Sequence, residues 1–135
     1  MHESSVKTRG VINSRVAHVV ASLGHGDAIC VADAGLPISG ATMRIDLAVT
    51  RGIPSFWDVV DNILEELGVE GVIIAEEMTQ DPKLYKELLE RFHEREITSV
   101  SHEEFTKLVP LTKATIRTGE FTPFANVILQ SGVPF

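Results

Sequence analysis

The segment Gly24–Pro37, "GHGDAICVADAGLP", decides the fold. Its centre, Ala28–Ala32, is a short apolar run bounded by turn residues. A run this short, containing Ile and Val, reads as a strand buried on both faces. Strands of that kind sit inside sheets that carry helices on their faces. The two bracketing turns are polar. One sets His25 between two glycines with Asp27 close behind, and the other sets Asp33 before Ala-Gly-Leu-Pro.

The flanking sequence supplies the remaining elements. Ser14 is placed to cap a helix over 15–23, with Val16, Val19, Val20 and Leu23 on one face. Gly24 then occupies the position of a C′ glycine. Residues 34–54 contain Pro37, Gly40, Gly52 and Pro54 and read mostly as loop. Alternation at Ile45, Leu47 and Val49 allows a short strand near 45–49. Ser55 with Asp58 resembles a capping box and opens a helix over 56–67. "VEGVIIA" (69–75) is the next strand, and Asp81-Pro82 starts a charged helix to about residue 93. Residues 97–100 form a strand, and Ser101 with Glu104 opens a helix over 102–109. Strands at 114–118 and 126–129 close the chain. Their connection is too short for a crossover helix, which makes them antiparallel. Alternating strands and helices predict an α/β fold, a single domain over 1–135 with a mixed sheet flanked by helices.

Bulk properties limit the function. A chain of 135 residues buries roughly two thirds of its unfolded surface and needs no staple. The net charge of −7 and the interleaving of Lys83, Lys86, Arg91 and Arg95 with glutamates argue against nucleic acid as a partner. The single cysteine, Cys30, lies in the apolar run and reads as packing. The first residues lack a signal-peptide apolar region, residues 1–8 are polar and read as loosely docked, and no stretch approaches a membrane span. A cytoplasmic protein is expected.

Several signatures fail. Gly24 and Gly26 begin a dinucleotide fingerprint, but Ile29 takes the place of its third glycine. "GLPISGAT" lacks the lysine of a phosphate-binding loop, and Gly35 stands where an aspartyl phosphatase carries its second Asp. The five histidines form no metal-ligand pair, and no nucleophile elbow is present. No metal and no cofactor are expected.

What remains is a set of histidines, carboxylates and an amide at loop ends. His25 reads either as an acid–base group approachable between glycines, with Asp27 in reach to orient it, or as a residue favoured by the preceding helix end. Asp33 reads either as a hydroxyl acceptor at a strand's carboxyl end or as a cap for its own loop. The ring of His102 is placed to face a cleft. Asn126 offers the donor and acceptor that a sugar hydroxyl requires. Glu76 and Glu77 read as solvated ends or as inter-subunit partners of Arg44 or Arg117. If Ala28–Ala32 is extended, His25 and Asp33 lie roughly 17–20 Å apart. Two subunits would then be needed to bring both to one small molecule.

These residues resemble the D-ribose pyranase family, related to the fucose mutarotases. The likeness runs through "RGVIN" (9–13), "LGHGD" (23–27), "DAGLP" (33–37), "RIDLAVTRGIPSF" (44–56), "IIAEE" (73–77), "SHEEF" (101–105), "IRTGE" (116–120), "PFANVIL" (123–129) and "GVPF" (132–135). "DAGLP" resembles the ribose branch; the fucose branch typically has "DAHFP". The resemblance implies a three-layer α/β/α fold and cofactor-independent interconversion of β-D-ribopyranose and β-D-ribofuranose. It also implies a cytoplasmic homo-oligomer, a pentamer or decamer, with D-ribose bound between subunits. Carried onto this chain, His25 is the proton donor, and Asp33, His102, Phe124, Ala125 and Asn126 are sugar-binding positions. The family usually has Tyr where this chain has Phe124, so one hydroxyl contact is absent, worth about 0.5–1.5 kcal/mol as a neutral hydrogen bond. A fucose-type mutarotase and a non-catalytic sugar-binding regulatory module are the rival readings.

Overall fold

A computed structural model describes residues 6–132. The start of the 1–8 segment and the end of "GVPF" lie outside the described residues. Helix α1 (Ser14–Ser22) leads to strand β1 (Ala28–Ala32), followed by β2 (Met43–Asp46) and α2 (Phe56–Leu64). Strand β3 (Val69–Ala75) runs through a 3-10 turn (Glu76–Gln80) into α3 (Pro82–Phe92). Strand β4 (Glu96–Val100), α4 (His102–Leu108), a second 3-10 turn (Val109–Leu111), β5 (Ala114–Arg117) and β6 (Val127–Ser131) complete the chain.

The six strands lie in the order β2-β5-β1-β6-β3-β4. Strand β6 is antiparallel to its neighbours β1 and β3, while β2, β5 and β1 run parallel, as do β3 and β4. The first five strands therefore share one direction, and β6 alone is reversed. All five carboxyl ends, together with the amino end of β6, gather on one edge of the sheet.

The alternation along β1 explains the layers. Ile29 and Val31 face the larger core with residues of α1, α2 and α3, while Cys30 and Ala32 face a smaller one with Phe105 and Val109. Both clusters are closed: Ile29, Cys30, Val31 and Ala32 are fully buried. Period-2 strand geometry thus converts one apolar run into the contact surface of two helical layers. Cys30 is packing, and burial pushes its thiol pKa far up.

Three local expectations change. The N-cap of α1 is Asn13, whose side chain accepts the Arg15 and Val16 N–H groups, so the helix starts at Ser14. Leu23 leaves α1 extended, and the left-handed glycine of the turn is Gly26, at φ 88°, not Gly24. The closing strands run antiparallel as expected but are not neighbours, because β1 lies between them. Residues 118–126 must therefore pass over the carboxyl end of β1. The caps Ser55, Asp81 and Ser101 accept the Asp58, Leu84 and Glu104 N–H groups as their sequence positions predict.

Candidate active site

The crossing segment 118–126 forms one wall of a cleft at the carboxyl edge. The cleft has a volume of ≈ 400 Å³, and its chemistry comes from Asp33, His102, Arg117, Glu120, Phe121 and Phe124. Ligands collect at this edge in open α/β sheets because strand ends there release side chains from the core.

Asp33 is the centre of the arrangement. Its backbone N–H donates to Asn126 Oδ1 at 2.8 Å, and Asn126 Nδ2 donates back to Asp33 Oδ2 at 3.1 Å. The other carboxylate oxygen accepts the Gly35 N–H at 2.9 Å. Asp33 therefore caps its own loop while lining the cleft. Burial pushes its pKa up, and hydrogen bonds from Gly35, Asn126 and Leu36 and the proximity of His102 offset only part of that rise.

Asn126 plays a different part from the expected one. It is fully buried, and both ends of its amide are paired with Asp33. It shapes Asp33 and does not line the cleft. Ala125 is also fully buried, behind Phe124. Phe124 is the outlier of this segment: its φ is 65°, in the left-handed region that bulky residues rarely adopt. Its ring stands edge-on to His102, with centroids 5.1 Å apart.

His102 is the first residue of α4, and its N–H donates to both oxygens of Glu77, at 3.1 and 3.3 Å. Glu77 is thus tied within the chain to the start of α4. The His102 Nδ1 is buried without a hydrogen-bond partner among the described residues. The residue itself lines the cleft, opposite the Phe124 ring.

Arg117 closes the other side. Its Nε donates to Ala34 O at 2.9 Å, and its Nη1 donates to both Asp46 oxygens at 3.2 and 3.1 Å. Its partner is therefore in the same chain, and its role is to fix the loop after Asp33. Glu120 was not singled out from sequence. Its carboxylate accepts the Phe56 N–H (3.0 Å), the Thr122 hydroxyl (2.8 Å) and the Thr122 N–H (3.3 Å), while its own carbonyl accepts the Ala34 N–H. The available signal was the polar "RTGEFTPFA" before an apolar strand, which marks a built loop without naming its organiser.

Burial alone would raise the Glu120 pKa, but hydrogen bonds from Phe56, Thr122 and Phe121 outweigh it and hold the group below the ordinary glutamate range. A depressed folded pKa gives stability that is complete above the unfolded value of about 4.3 and is lost as pH falls through the folded value. In thermal denaturation from about pH 6 down to pH 3, the wild-type midpoint should therefore fall more steeply than that of Glu120→Gln. Parallel curves would reject this role. The other depressed carboxyls among the described residues, Asp46 and Glu66, are common to both proteins and cancel in the difference.

His25 is elsewhere. It precedes β1, at the opposite edge from the cleft, with a side chain 63% exposed. Asp27 does not orient it: the Asp27 carboxylate accepts the Gly24 N–H at 2.9 Å. The acidic group within 4.0 Å of the ring, among the described residues, is Glu70. One chain therefore brings together Asp33, His102 and Phe124 with Asn126 behind them, but not His25.

Comparison with known proteins follows the same residues. The profile of the RbsD / FucU transport protein family matches residues 6–134. The D-ribose pyranase of Bacillus cytotoxicus is 48% identical over 131 residues, covering 96% of this chain and 100% of that protein. The D-ribose pyranase of Coprothermobacter proteolyticus is 51% identical over 126 residues, 93% of this chain and 96% of that protein. The structure of Bacillus subtilis RbsD complexed with D-ribose superposes with a TM-score of 0.90 at 48% identity, covering 96% of this chain and 99% of that one. The fucose mutarotase of Streptococcus pneumoniae shares the fold at a TM-score of 0.74 and 24% identity, covering 92% of this chain and 95% of that one.

Proposed function

Because this chain belongs to the RbsD / FucU family, we propose that it is a D-ribose pyranase, an isomerase that interconverts β-D-ribopyranose and β-D-ribofuranose. The observation that carries the reading is the 48% identity and 0.90 TM-score to a protein solved with D-ribose, over nearly the whole of both chains. The fucose-binding relative is half as similar in sequence and supports the fold alone.

The residues suit the chemistry. A ring-form change breaks the C1–O5 bond of the hemiacetal, rotates the open chain and closes C1 onto O4. Opening needs one proton delivered to O5 and one removed from the anomeric hydroxyl. His25, as imidazolium, gives the first. Asp33, whose burial raises its basicity, or a water beside it, takes the second. Closing reverses both transfers, with imidazole now accepting the O4 proton, so the enzyme ends as it began. His102 and the Asp33 carboxylate, both lining the cleft, hold hydroxyls, the Phe124 ring covers a face of the sugar, and Asn126 and Ala125 back that wall.

The reading includes a homo-oligomer, a pentamer or decamer, whose active site joins the cleft of one subunit to His25 of its neighbour. Its support is the placement of His25 and Asp33 at opposite ends of β1 and the exposed Val49, Ile53 and Phe121, the last on the rim of the cleft. A cytoplasmic location belongs to the same reading and agrees with a lone reduced cysteine.

Saturation-transfer NMR on ribose and fucose tests it. Faster exchange between pyranose and furanose signals of ribose is the expected result. Acceleration confined to α/β exchange of fucose would make the protein a mutarotase, and ribose binding without acceleration would make it a binding module.

A further inference from the structure

We infer that Glu70 is a positioning residue for His25, accepting its Nδ1–H so that Nε2 faces the incoming sugar; the inference rests on the reading of His25 as the acid. The backbone of His25 is tightly held. The Gly24–Asp27 turn is closed by Asp27 N–H to Gly24 O at 3.1 Å and by the Asp27 carboxylate on Gly24 N–H. It is joined to β6 by Gly26 N–H to Ser131 O, at 3.0 Å, and Ser131 N–H to Asp27 O, at 2.8 Å. The Ser131 hydroxyl adds bonds to Gly24 O and Asp27 O. A fixed backbone carries a ring whose own direction nothing in the turn sets.

Glu70 supplies the missing constraint. It is the exposed residue of β3, between the buried Val69 and Gly71, and its Oε2 lies 4.0 Å from His25 Nδ1. That separation is spanned by a small rotation of either exposed side chain or by one bridging water.

The place for Glu70 is built. A Cβ at Gly132 would stand 2.6 Å from both Glu70 Cβ and Oε2, a distance real Cβ atoms do not tolerate. Gly132 is not a left-handed glycine, so its own backbone does not demand the residue; the glutamate beside it does. Its N–H donates to Gly68 O at 2.9 Å and holds the end of β6 against the start of β3. Of the groups around the ring, Asp27 is committed to Gly24, and Ser131 at the end of β6 and Gly132 after it carry no charge. A carboxylate on Nδ1–H fixes the tautomer and aims the opposite nitrogen, the arrangement that hydrolytic triads use for the same purpose.

The test uses full-length Glu70→Ala and Glu70→Gln, with His25→Ala as control. Ribose ring exchange is followed over a range of ribose concentrations, and the His25 tautomer is read by ¹⁵N NMR. Glu70→Ala should lower kcat about tenfold with KM unchanged and shift the neutral ring toward the Nε2–H form favoured by free imidazole. Glu70→Gln, which keeps an acceptor oxygen, should recover part of both. If His25→Ala slows exchange but Glu70→Ala changes neither kcat nor tautomer, Glu70 has no positioning role. A kcat loss with an unchanged tautomer also overturns the inference. If His25→Ala leaves exchange unaffected, the acid assignment fails and the inference falls with it.

Discussion

His25→Ala should slow exchange between ribopyranose and ribofuranose by about 10²-fold while ribose still binds. The size follows from removing a general acid, which contributes about 10²–10⁴-fold to a proton-transfer step. Spontaneous ring opening in water sets the floor, so the loss is finite. The fold should survive because the ring is exposed and makes no hydrogen bond among the described residues. Two measurements check this: saturation-transfer exchange rates and calorimetric titration with ribose. Unchanged exchange would remove His25 from the mechanism. Lost binding would show that it holds the sugar rather than serving the proton transfer. The variant also probes assembly. Mixing His25→Ala with a cleft-defective Asp33→Ala protein should restore part of the activity if sites form between subunits. No restoration after confirmed subunit exchange would argue for a site within one chain.

Asn126→Asp should be strongly disruptive although it is isosteric. Asn126 is fully buried, and its Nδ2 donates to Asp33 Oδ2 at 3.1 Å. An aspartate there replaces the donor with a second carboxylate oxygen. Two carboxylates at that distance repel in a water-poor site, so the pair titrates together and binds one shared proton more readily than an isolated carboxylate does. At neutral pH the variant loses a buried hydrogen bond and gains like-charge repulsion. A destabilisation of about 3 kcal/mol, near the upper end for an unpaired buried polar group, is the expected scale. Ribose affinity should fall with it, because Asp33 is the group displaced. Acidification should recover both as the shared proton binds: the pair has a raised folded pKa, so the penalty is present above that value and disappears below it. Chemical denaturation and ribose titration at about pH 5 and pH 8 would show this recovery. A penalty independent of pH would mean that the Asn126–Asp33 contact is mere packing.

Much of this was legible in the chain. The apolar run Ala28–Ala32, bounded by Asp27 and Asp33, reads as a doubly buried strand, because its five residues offer no polar face to water. The caps at Ser55, Asp81 and Ser101 were legible for a local reason: a side-chain oxygen meets an N–H three residues on. Asp33 and His102 could be selected as site candidates because polar residues at the ends of strands escape the core, and the resemblance to the pyranase family gave His25, Phe124, Ala125 and Asn126 their expected roles.

What the chain could not reveal were the pairings made across long sequence separations. Asn126 carries the donor and acceptor of a sugar ligand, yet 93 residues away Asp33 takes both. Arg117, Glu120 and Glu77 are ordinary charged residues until the sheet order places β1 between β5 and β6 and sends 118–126 over its end. Asp27 is nearer His25 in sequence than Glu70, but the turn consumes its carboxylate, while strand pairing brings Glu70 alongside. Sequence by itself determined the elements, the buried faces and the residue types of the chemistry, because these depend on local periodicity and hydrogen bonding. Tertiary structure alone decided which groups meet, because strand order and register are settled by the whole core packing at once.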